Sequence, residues 1–397
     1  MTRFLRILLG ASVALAVASG AAATPHKTRK KSAAPRATTT AKARRPAAKT
    51  PARRTAVSAP ARTPAPAAKS PAKRLRSRRL ASPWDAPTYA DSTVGDVLDG
   101  EDLQVRRAAV DALGPYNGSV VVVDPASGRI LSIVNQRLAL TGAYQPCSTI
   151  KLVASLAGLT EGMIDKDTRV RISRGVSMDL TTAIARSNNV YFANLGEKLG
   201  FEKVQQYGRM CGLGEKAGYG LDGESPGIFP DRQPREIPVG MMTSFGEAIG
   251  ITPLQLAALV TSIANEGTLY FLQYPRNEAE IEHFAPRVKR FLDIRDAVAK
   301  MRPGMLGATD FGTARRANYD PSEPIFGKTG TCSDQRTHLG WFGSFNEVAG
   351  RKLVVVVLLT GGPGVSGPVA SGVAGQVYKN LSQQHYFTGR VTAIGQP

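Results

Sequence analysis

The sequence has few of the residues that metal and cofactor chemistry require. Its 397 residues include four histidines and three cysteines, and the spacing of Cys147, Cys211 and Cys332 matches no metal site. Three cysteines are also too few for a disulfide framework. The chain contains neither a Gly-x-Ser-x-Gly elbow nor a phosphate-cradling glycine loop. We therefore expect no metal, no cofactor and no elbow-type hydrolase.

Acidic residues are absent from the first 80 positions, which contain 20 of the 51 Lys and Arg residues. The other 31 basic residues are balanced by 31 acidic ones. The net charge of +20 therefore belongs to the N-terminal fifth of the chain. Such a charge would suit nucleic-acid binding, but an export signal in the same segment argues against a nucleic-acid partner.

That export signal is predicted at residues 1–23. Arg3 and Arg6 precede an apolar stretch, and small alanine residues at 21–23 suit cleavage. An uncleaved membrane anchor is the alternative, although the apolar stretch is short for a spanning segment and the basic residues that follow it would have to cross the membrane, whereas such residues tend to stay cytoplasmic. Either interpretation predicts an exported protein, in a periplasm or on the outer face of a cytoplasmic membrane.

Residues 24–80 consist mainly of Ala, Pro, Lys, Arg, Thr and Ser. Such a segment buries too little apolar surface to offset its ordering entropy, so we expect a disordered basic linker. It would bind anionic envelope polymers or lipid headgroups, or act only as a soluble spacer. Given this composition, we expect neither a glycosyltransferase domain nor a sizeable non-catalytic domain before the folded part.

The rest of the chain predicts an α+β fold. An amphipathic helix at 98–113 precedes a hairpin of two strands, and a mostly helical middle runs from residue 148 to about residue 301. Within it, Thr252-Pro253 begins a clear helix. Three strands and a helix follow. We expect one mixed sheet built from N- and C-terminal strands, with an inserted helical lobe. The predicted strands and last helix are 119–123, 129–135, 324–332, 339–345, 352–360 and 369–381.

The first candidate motif is Ser148-Thr149-Ile150-Lys151 at the start of a helical stretch. Residues three apart share a helical face, so the Lys151 amine can reach the Ser148 hydroxyl. A desolvated, neutral lysine can remove the proton that makes serine a poor nucleophile. Alone the spacing is weak, because Ser70-Pro71-Ala72-Lys73 repeats it in the basic linker. A helix cap with a surface lysine is the alternative.

The second motif is Ser187-Asn188-Asn189, at a junction between helical stretches. A second hydroxyl can pass a proton between a lysine and a leaving amine, and a carboxamide can hydrogen-bond a substrate amide. A polar turn or helix cap is the alternative, and Ser344-Phe345-Asn346 shows the same pattern inside a predicted strand.

The third motif is Lys328-Thr329-Gly330-Thr331, on a predicted strand. A cation and hydroxyls there could hold a carboxylate, and Gly330 would let a substrate backbone approach closely. The charge of Lys328 would also help to keep Lys151 neutral. The alternative is an edge strand with a solvated lysine.

Taken together and in this order, the three motifs are the set found in serine β-lactamases and penicillin-binding proteins. Over about residues 97–385 the sequence resembles the transpeptidase domain of penicillin-binding proteins, and this implies the penicillin-recognising serine transpeptidase fold. Further similar stretches are 98–104, 120–131, 250–257, 264–267, 304–305 with 312–314, and 340–342.

The resemblance implies a role for each matching residue. Ser148 would be acylated by the D-alanyl-D-alanine end of a peptidoglycan stem peptide, with Lys151 as base and Ser187 as proton relay. The backbone amides of Ser148 and Thr331 would form the oxyanion hole, and β-lactams would acylate Ser148 as substrate mimics. Cell-wall assembly proteins would be further partners. The implied substrate-binding residues are Asn189, Lys328, Thr329, Gly330 and Thr331.

The three motifs are compatible with several activities. A D,D-carboxypeptidase, a β-lactamase or a β-lactam sensor on the same fold would differ from a transpeptidase in the fate of the acyl group. β-Lactam hydrolysis needs a positioned water and often a second base, which the sequence does not identify. A catalytically idle envelope-binding protein, in which the basic linker binds the envelope, is the alternative from another class.

Two of the cysteines lie beside the motifs. Cys147 precedes Ser148, Cys332 follows Thr331, and in the implied fold these segments lie side by side. One hypothesis is a redox-sensitive bridge between the two thiols. The interpretation that we favour from sequence alone is a pair of small buried residues, because free cysteine commonly behaves as a small hydrophobe.

Overall fold

The structure is a computed structural model that describes residues 85–334 and 336–389, apart from the side chain of Asp334. The predicted export signal (1–23) and basic linker (24–80) lie outside the described residues. Within the described ranges every helix is too short or too polar to span a membrane.

The described residues form nine strands and ten α-helices. The strands are β1 Gly118–Asp124, β2 Arg129–Val134, β3 Val170–Ser173, β4 Val176–Met178, β5 Thr268–Phe271, β6 Arg287–Phe291, β7 Ile325–Asp334, β8 Thr337–Val348 and β9 Arg351–Gly361. The helices are α1 Leu103–Leu113, α2 Gln136–Thr141, α3 Lys151–Thr160, α4 Leu180–Ala185, α5 Asn189–Met210, α6 Val239–Phe245, α7 Pro253–Ala264, α8 Glu278–Glu282, α9 Arg295–Asp310 and α10 Gly367–Gln383.

A five-stranded sheet with the order β2-β1-β9-β8-β7 forms the centre of the fold. It joins both ends of the described chain because β1 pairs with β9. The α+β class and the sheet built from early and late strands are therefore confirmed. The expected mixed strand direction needs a correction, since all four pairs are antiparallel. Short turns connect β1 to β2, β7 to β8 and β8 to β9, and such turns join antiparallel strands.

Helices cover both faces of this sheet. Alternate residues of a strand point to opposite faces, so Val121 and Val356 lie in a core shared with α7, whereas Val120 and Val355 lie in a core shared with α1 and α10. Residues 353–359 of β9 are consequently all buried. A strand buried on both faces has a continuous apolar sequence, as the run of Leu and Val residues at 353–359 shows.

The middle segment and the first helix both differ from the sequence prediction. The hairpins β3–β4 and β5–β6 interrupt the segment expected to be mostly helical. Their strands have only three to five residues, and so short a stretch carries little periodic signal. Helix α1 also begins at Leu103 rather than residue 98, because the Asp102 side chain accepts hydrogen bonds from the backbone N–H groups of Gln104 and Val105.

Helix α7 packs against β1, β8 and β9 and begins with the predicted Thr252-Pro253 pair. The Thr252 hydroxyl accepts from the backbone N–H of Gln255 at 3.0 Å, and the Gln255 side chain accepts from the backbone N–H of Thr252 at 2.9 Å. This capping box satisfies two N–H groups that the helix itself leaves without partners.

Replacing Thr252 with Ala should lower the free energy of unfolding by about 1 kcal/mol, because it removes the cap of a buried helix. Chemical denaturation of the full chain measures the change. The matched control is Thr141→Ala, at the exposed end of α2, where we expect a change within about 0.5 kcal/mol. Equal effects of the two substitutions would contradict this role of Thr252.

Candidate active site

Ser148 lies in a 3₁₀ turn, Cys147–Ile150, that runs directly into α3. We call this segment the Ser148 turn. Lys151 is the first residue of α3, and its Nζ donates to the Ser148 Oγ at 2.7 Å. Lys151 is fully buried, whereas Ser148 is partly exposed. The predicted serine–lysine contact is therefore present, with the hydroxyl on the side that solvent can reach.

Ser187 and Asn189 meet the same lysine at the junction between α4 and α5. Lys151 Nζ donates to the Asn189 Oδ1 at 2.6 Å and to the Ser187 Oγ at 3.2 Å. Between them, Asn188 accepts from the Tyr191 backbone N–H at 2.8 Å and caps α5. Ser187 has a φ of 55°, a conformation that non-glycine residues seldom adopt. The triplet thus combines the two interpretations of the sequence, since its middle residue is a helix cap and its outer residues face Lys151.

Lys328 reaches the cluster from β7, at the edge of the central sheet. Its Nζ donates to the Ser187 Oγ at 2.7 Å and to the Thr329 carbonyl oxygen at 3.0 Å. Lys328 is fully buried, so the alternative of a solvated lysine is wrong. The Ser187 hydroxyl consequently lies between two lysine amines.

The rest of the third motif faces the Ser148 turn. A Cβ on Gly330 would lie only 2.9 Å from the Pro146 carbonyl oxygen, so glycine is required for this close approach of β7. The Thr329 and Thr313 hydroxyl oxygens are 2.6 Å apart. The Thr331 Oγ1 accepts from the Gly367 backbone N–H at 2.8 Å. Both threonine hydroxyls are thus oriented by neighbours, and each pair leaves one hydroxyl hydrogen to donate elsewhere.

Burial controls the charge of both lysines. It lowers the pKa of Lys151 from 10.5 to about 7, because a charged amine loses its hydration in the interior. Burial, and then repulsion from Lys151, lower the pKa of Lys328 well below its usual value. The repulsion that we expected to lower the pKa of Lys151 is thus found at Lys328.

The acceptors of Lys151 agree with a neutral amine. They are the Ser148 Oγ, the Asn189 Oδ1, and the Oγ and carbonyl oxygen of Ser187, none of which is charged. A neutral Nζ also has a lone pair, so a serine hydroxyl can donate to it.

Trp341 and Thr313, which belong to none of the three motifs, also support the site. The Trp341 indole N–H donates to the Gln145 carbonyl oxygen at 2.9 Å, next to the Ser148 turn. Thr313 orients Thr329. Both residues lie in stretches that resemble the family, but only the tertiary contacts give them a function. The Ser148 Oγ also donates to the Ser244 carbonyl oxygen at 3.5 Å.

Cys147 and Cys332 form a disulfide, with their Cα atoms 5.6 Å apart. The favoured interpretation of two small unpaired residues is therefore wrong, and the bridge hypothesis was right about their proximity. The close approach at Gly330 explains the pairing, because it brings β7 against the Ser148 turn. The third cysteine, Cys211, is buried and unpaired, and burial raises the pKa of its thiol to about 12.

The sequence and the fold were both compared with known proteins. The family profile described as "Penicillin binding protein transpeptidase domain" matches residues 118–383. Stage V sporulation protein D of Bacillus subtilis (strain 168) is 28% identical over 312 residues, which cover 68% of this chain and 48% of that protein. The peptidoglycan D,D-transpeptidase MrdA of Acinetobacter baumannii is 26% identical over 322 residues, which cover 65% of this chain and 47% of that protein. The chain thus spans about half the length of these curated relatives.

Among solved structures, the fold is similar to that of Pseudomonas aeruginosa PBP2, crystallised in complex with WCK 5153. The TM-score is 0.63, the sequence identity is 23%, and the match covers 75% of this chain and 78% of that one. At this identity the similarity establishes the fold.

Thiol counting under denaturing conditions should find one reactive thiol per chain before reduction and three after it, because Cys147 and Cys332 are bridged and Cys211 is not. A colorimetric thiol reagent measures both values. The control variant Cys211→Ala should give none before reduction and two after it. Three thiols in the unreduced chain would contradict the bridge.

Proposed function

Because the chain belongs to the penicillin-binding protein transpeptidase family, we propose that it is an exported peptidoglycan D,D-transpeptidase acylated on Ser148. Residues 97–385 would form its transpeptidase domain. The observation that carries the proposal is the buried Lys151 amine, 2.7 Å from the Ser148 hydroxyl and surrounded by uncharged acceptors. A lysine in that state is a general base.

Acylation starts with proton transfer from the Ser148 Oγ to the neutral Lys151 Nζ. The oxygen attacks the carbonyl carbon of the penultimate D-alanine, and the peptide carbonyl becomes an oxyanion. The backbone N–H groups of Ser148 and Thr331 are the proposed donors to that oxyanion, and one such donor is typically worth about 10²- to 10³-fold in rate. The first of them belongs to the turn that leads into α3, where the helix dipole also favours negative charge.

Departure of D-alanine requires a proton on its amine. Ser187 is the proposed relay, because its Oγ lies 3.2 Å from the Lys151 Nζ and 2.7 Å from the Lys328 Nζ. Ser187 gives its hydroxyl proton to the leaving amine and takes one from Lys151, which becomes neutral again. The products of this step are D-alanine and an ester on Ser148, which an acceptor amine then converts into a crosslink.

The residues of the third motif are the proposed binding site of the substrate carboxylate. Thr331 accepts from Gly367 and therefore keeps its own hydroxyl hydrogen to donate, and the Thr329–Thr313 pair keeps one as well. An incoming carboxylate would favour the charged form of Lys328. Asn189 would orient the acyl-donor amide, and Gly330 lets the peptide backbone lie close to β7.

The proposed partners follow from this chemistry. Peptidoglycan stem peptides would be the substrates, and β-lactams would acylate Ser148 in their place. The basic linker, residues 24–80, would bind anionic envelope polymers or lipid headgroups, and cell-wall assembly proteins would bring the enzyme to its acceptor. This assignment agrees with an exported chain, because these substrates lie outside the cytoplasm.

The full chain should form a one-to-one adduct with benzylpenicillin that persists for many minutes in an intact-mass time course. Ser148→Ala should abolish the adduct. Ser70→Ala is the matched control and should leave it unchanged, because Ser70 has the same spacing to a lysine in the basic linker.

The same time course separates the other activities. An adduct that disappears while penicillin is consumed would indicate a β-lactamase, and no adduct with intact penicillin would indicate a catalytically idle protein. With a D-alanyl-D-alanine peptide, release of D-alanine with no crosslink to an added acceptor amine would indicate a carboxypeptidase.

The acylation rate should rise with pH and level off above about pH 7, because Lys151 acts as a base only when neutral and its pKa is about 7. At pH 6 the rate should be about tenfold below the plateau, since only about a tenth of the amine is then neutral. Stopped-flow acylation by a fluorescent penicillin gives the profile.

Two lysine variants control this profile. Lys151→Arg should lose acylation at every pH, because a guanidinium stays charged. Lys166→Arg should keep the wild-type profile, because the Lys166 side chain is exposed and pairs with Asp167, which is not one of the site residues. A rate that is constant between pH 6 and pH 9 would contradict Lys151 as the base.

A further inference from the structure

The disulfide joins the two segments that carry the proposed oxyanion donors. Cys147 is bonded through the backbone to Ser148, and Cys332 to Thr331. We propose that the Cys147–Cys332 disulfide positions these two backbone N–H groups for acylation, and that a dithiol reductant lowers the acylation rate by opening it. This inference rests on the proposed function, and the two cysteines are positioning residues that do not touch the substrate.

The sheet holds only one side of β7, the strand that contains Thr331 and Cys332. Strand β7 pairs with β8 along its whole length, from Ile325 to Asp334, and β7 is the edge of the described sheet. Its other side faces the Ser148 turn, which comes from a different part of the chain. The bridged residues are 185 positions apart in sequence, so the bridge ties the turn and the strand together where no backbone ladder does.

The other contacts that hold β7 and the Ser148 turn near each other are weaker than a covalent bond. Gly330 lies against the Pro146 carbonyl oxygen, and the Trp341 indole donates to the Gln145 carbonyl oxygen at 2.9 Å. On the far side of the site, Lys328 reaches the Ser187 hydroxyl at 2.7 Å. These contacts keep β7 near the turn without the bridge, but none of them involves Thr331 or Ser148, whose backbone N–H groups must face one oxyanion.

The backbone of Cys147 also needs support. Its φ is 51°, in a region that residues other than glycine seldom occupy unless the surroundings impose it. A change of this angle would rotate the peptide between Cys147 and Ser148, which contains the Ser148 N–H. The bridge anchors the side chain of Cys147 and so opposes such a rotation.

Opening the bridge is a two-electron exchange with a dithiol. Cys332 is partly exposed whereas Cys147 is buried, so the attacking thiolate bonds to the Cys332 sulfur, and the Cys147 sulfur leaves and takes a proton. The second thiol of the reductant then displaces the Cys332 sulfur. The enzyme gains two thiols, and the reductant is oxidised to its own disulfide. Such bridges persist in oxidising compartments, where we propose the chain acts.

The test measures acylation of the full chain by a fluorescent penicillin, before and after dithiothreitol. Saturation kinetics separate the dissociation constant of the initial complex from the acylation rate constant. We expect the rate constant to fall about tenfold, which is part of the effect of losing a whole oxyanion donor. The dissociation constant should change much less. Reoxidation should restore the rate.

Three variants make the test specific. Cys147→Ala/Cys332→Ala should behave like the reduced chain and no longer respond to dithiothreitol. Cys211→Ala should keep the full wild-type response, because that thiol is buried and unpaired. Circular dichroism of the reduced wild-type chain, recorded under the assay conditions, shows that the slower protein is folded.

The outcomes separate this inference from the proposed function. An unchanged or higher rate constant in the reduced chain, with or without a lower melting temperature, would overturn the positioning role and leave the proposed function intact. Absence of acylation in both the oxidised and the reduced chain would overturn both proposals. A tenfold loss without a matching change in the dissociation constant would support the positioning role.

Discussion

The site depends on the burial of two lysine amines beside one serine hydroxyl. Water would keep both amines charged, but Lys151 and Lys328 are fully buried and their pKa values are lowered. A neutral amine in the interior is tolerated because it still finds uncharged partners. Three separate elements supply the geometry: α3 supplies Lys151, β7 supplies Lys328, and the turn between α4 and α5 supplies Ser187. The rest of the fold keeps these elements in contact.

The central sheet keeps β7 in place. Its edge strand approaches the Ser148 turn at Gly330, where the space admits no Cβ, and Trp341 on β8 reaches across to the loop before the turn. Strand β8 pairs with one side of β7, and the Cys147–Cys332 bridge ties the other side to the Ser148 turn next to Thr331.

Local patterns in the sequence predicted the parts of the fold that local interactions determine. The β1–β2 hairpin, the three late strands and the start of α7 each have a signal within a few residues. The three motifs predicted the serine–lysine cluster because helical spacing brings Ser148 and Lys151 together. Long-range features had no such local signal. The order of the elements predicted a sheet of early and late strands, and the family resemblance placed Cys147 near Cys332. The contact of Thr313 with Thr329 joins segments that only the folded chain brings together.

The pairing of β1 with β9 also determines when Ser148, Lys151 and Lys328 can come together in a growing chain. A polypeptide is synthesised from its amino end, so Ser148 and Lys151 emerge long before Lys328, and β9 follows later still. Until β9 aligns between β1 and β8, strand β7 has no sheet to hold it against the Ser148 turn. Closing so large a loop is slow compared with forming a hairpin. An incomplete chain therefore carries Ser148 and Lys151 without Lys328, and the cluster assembles only once nearly all of the folded part is present.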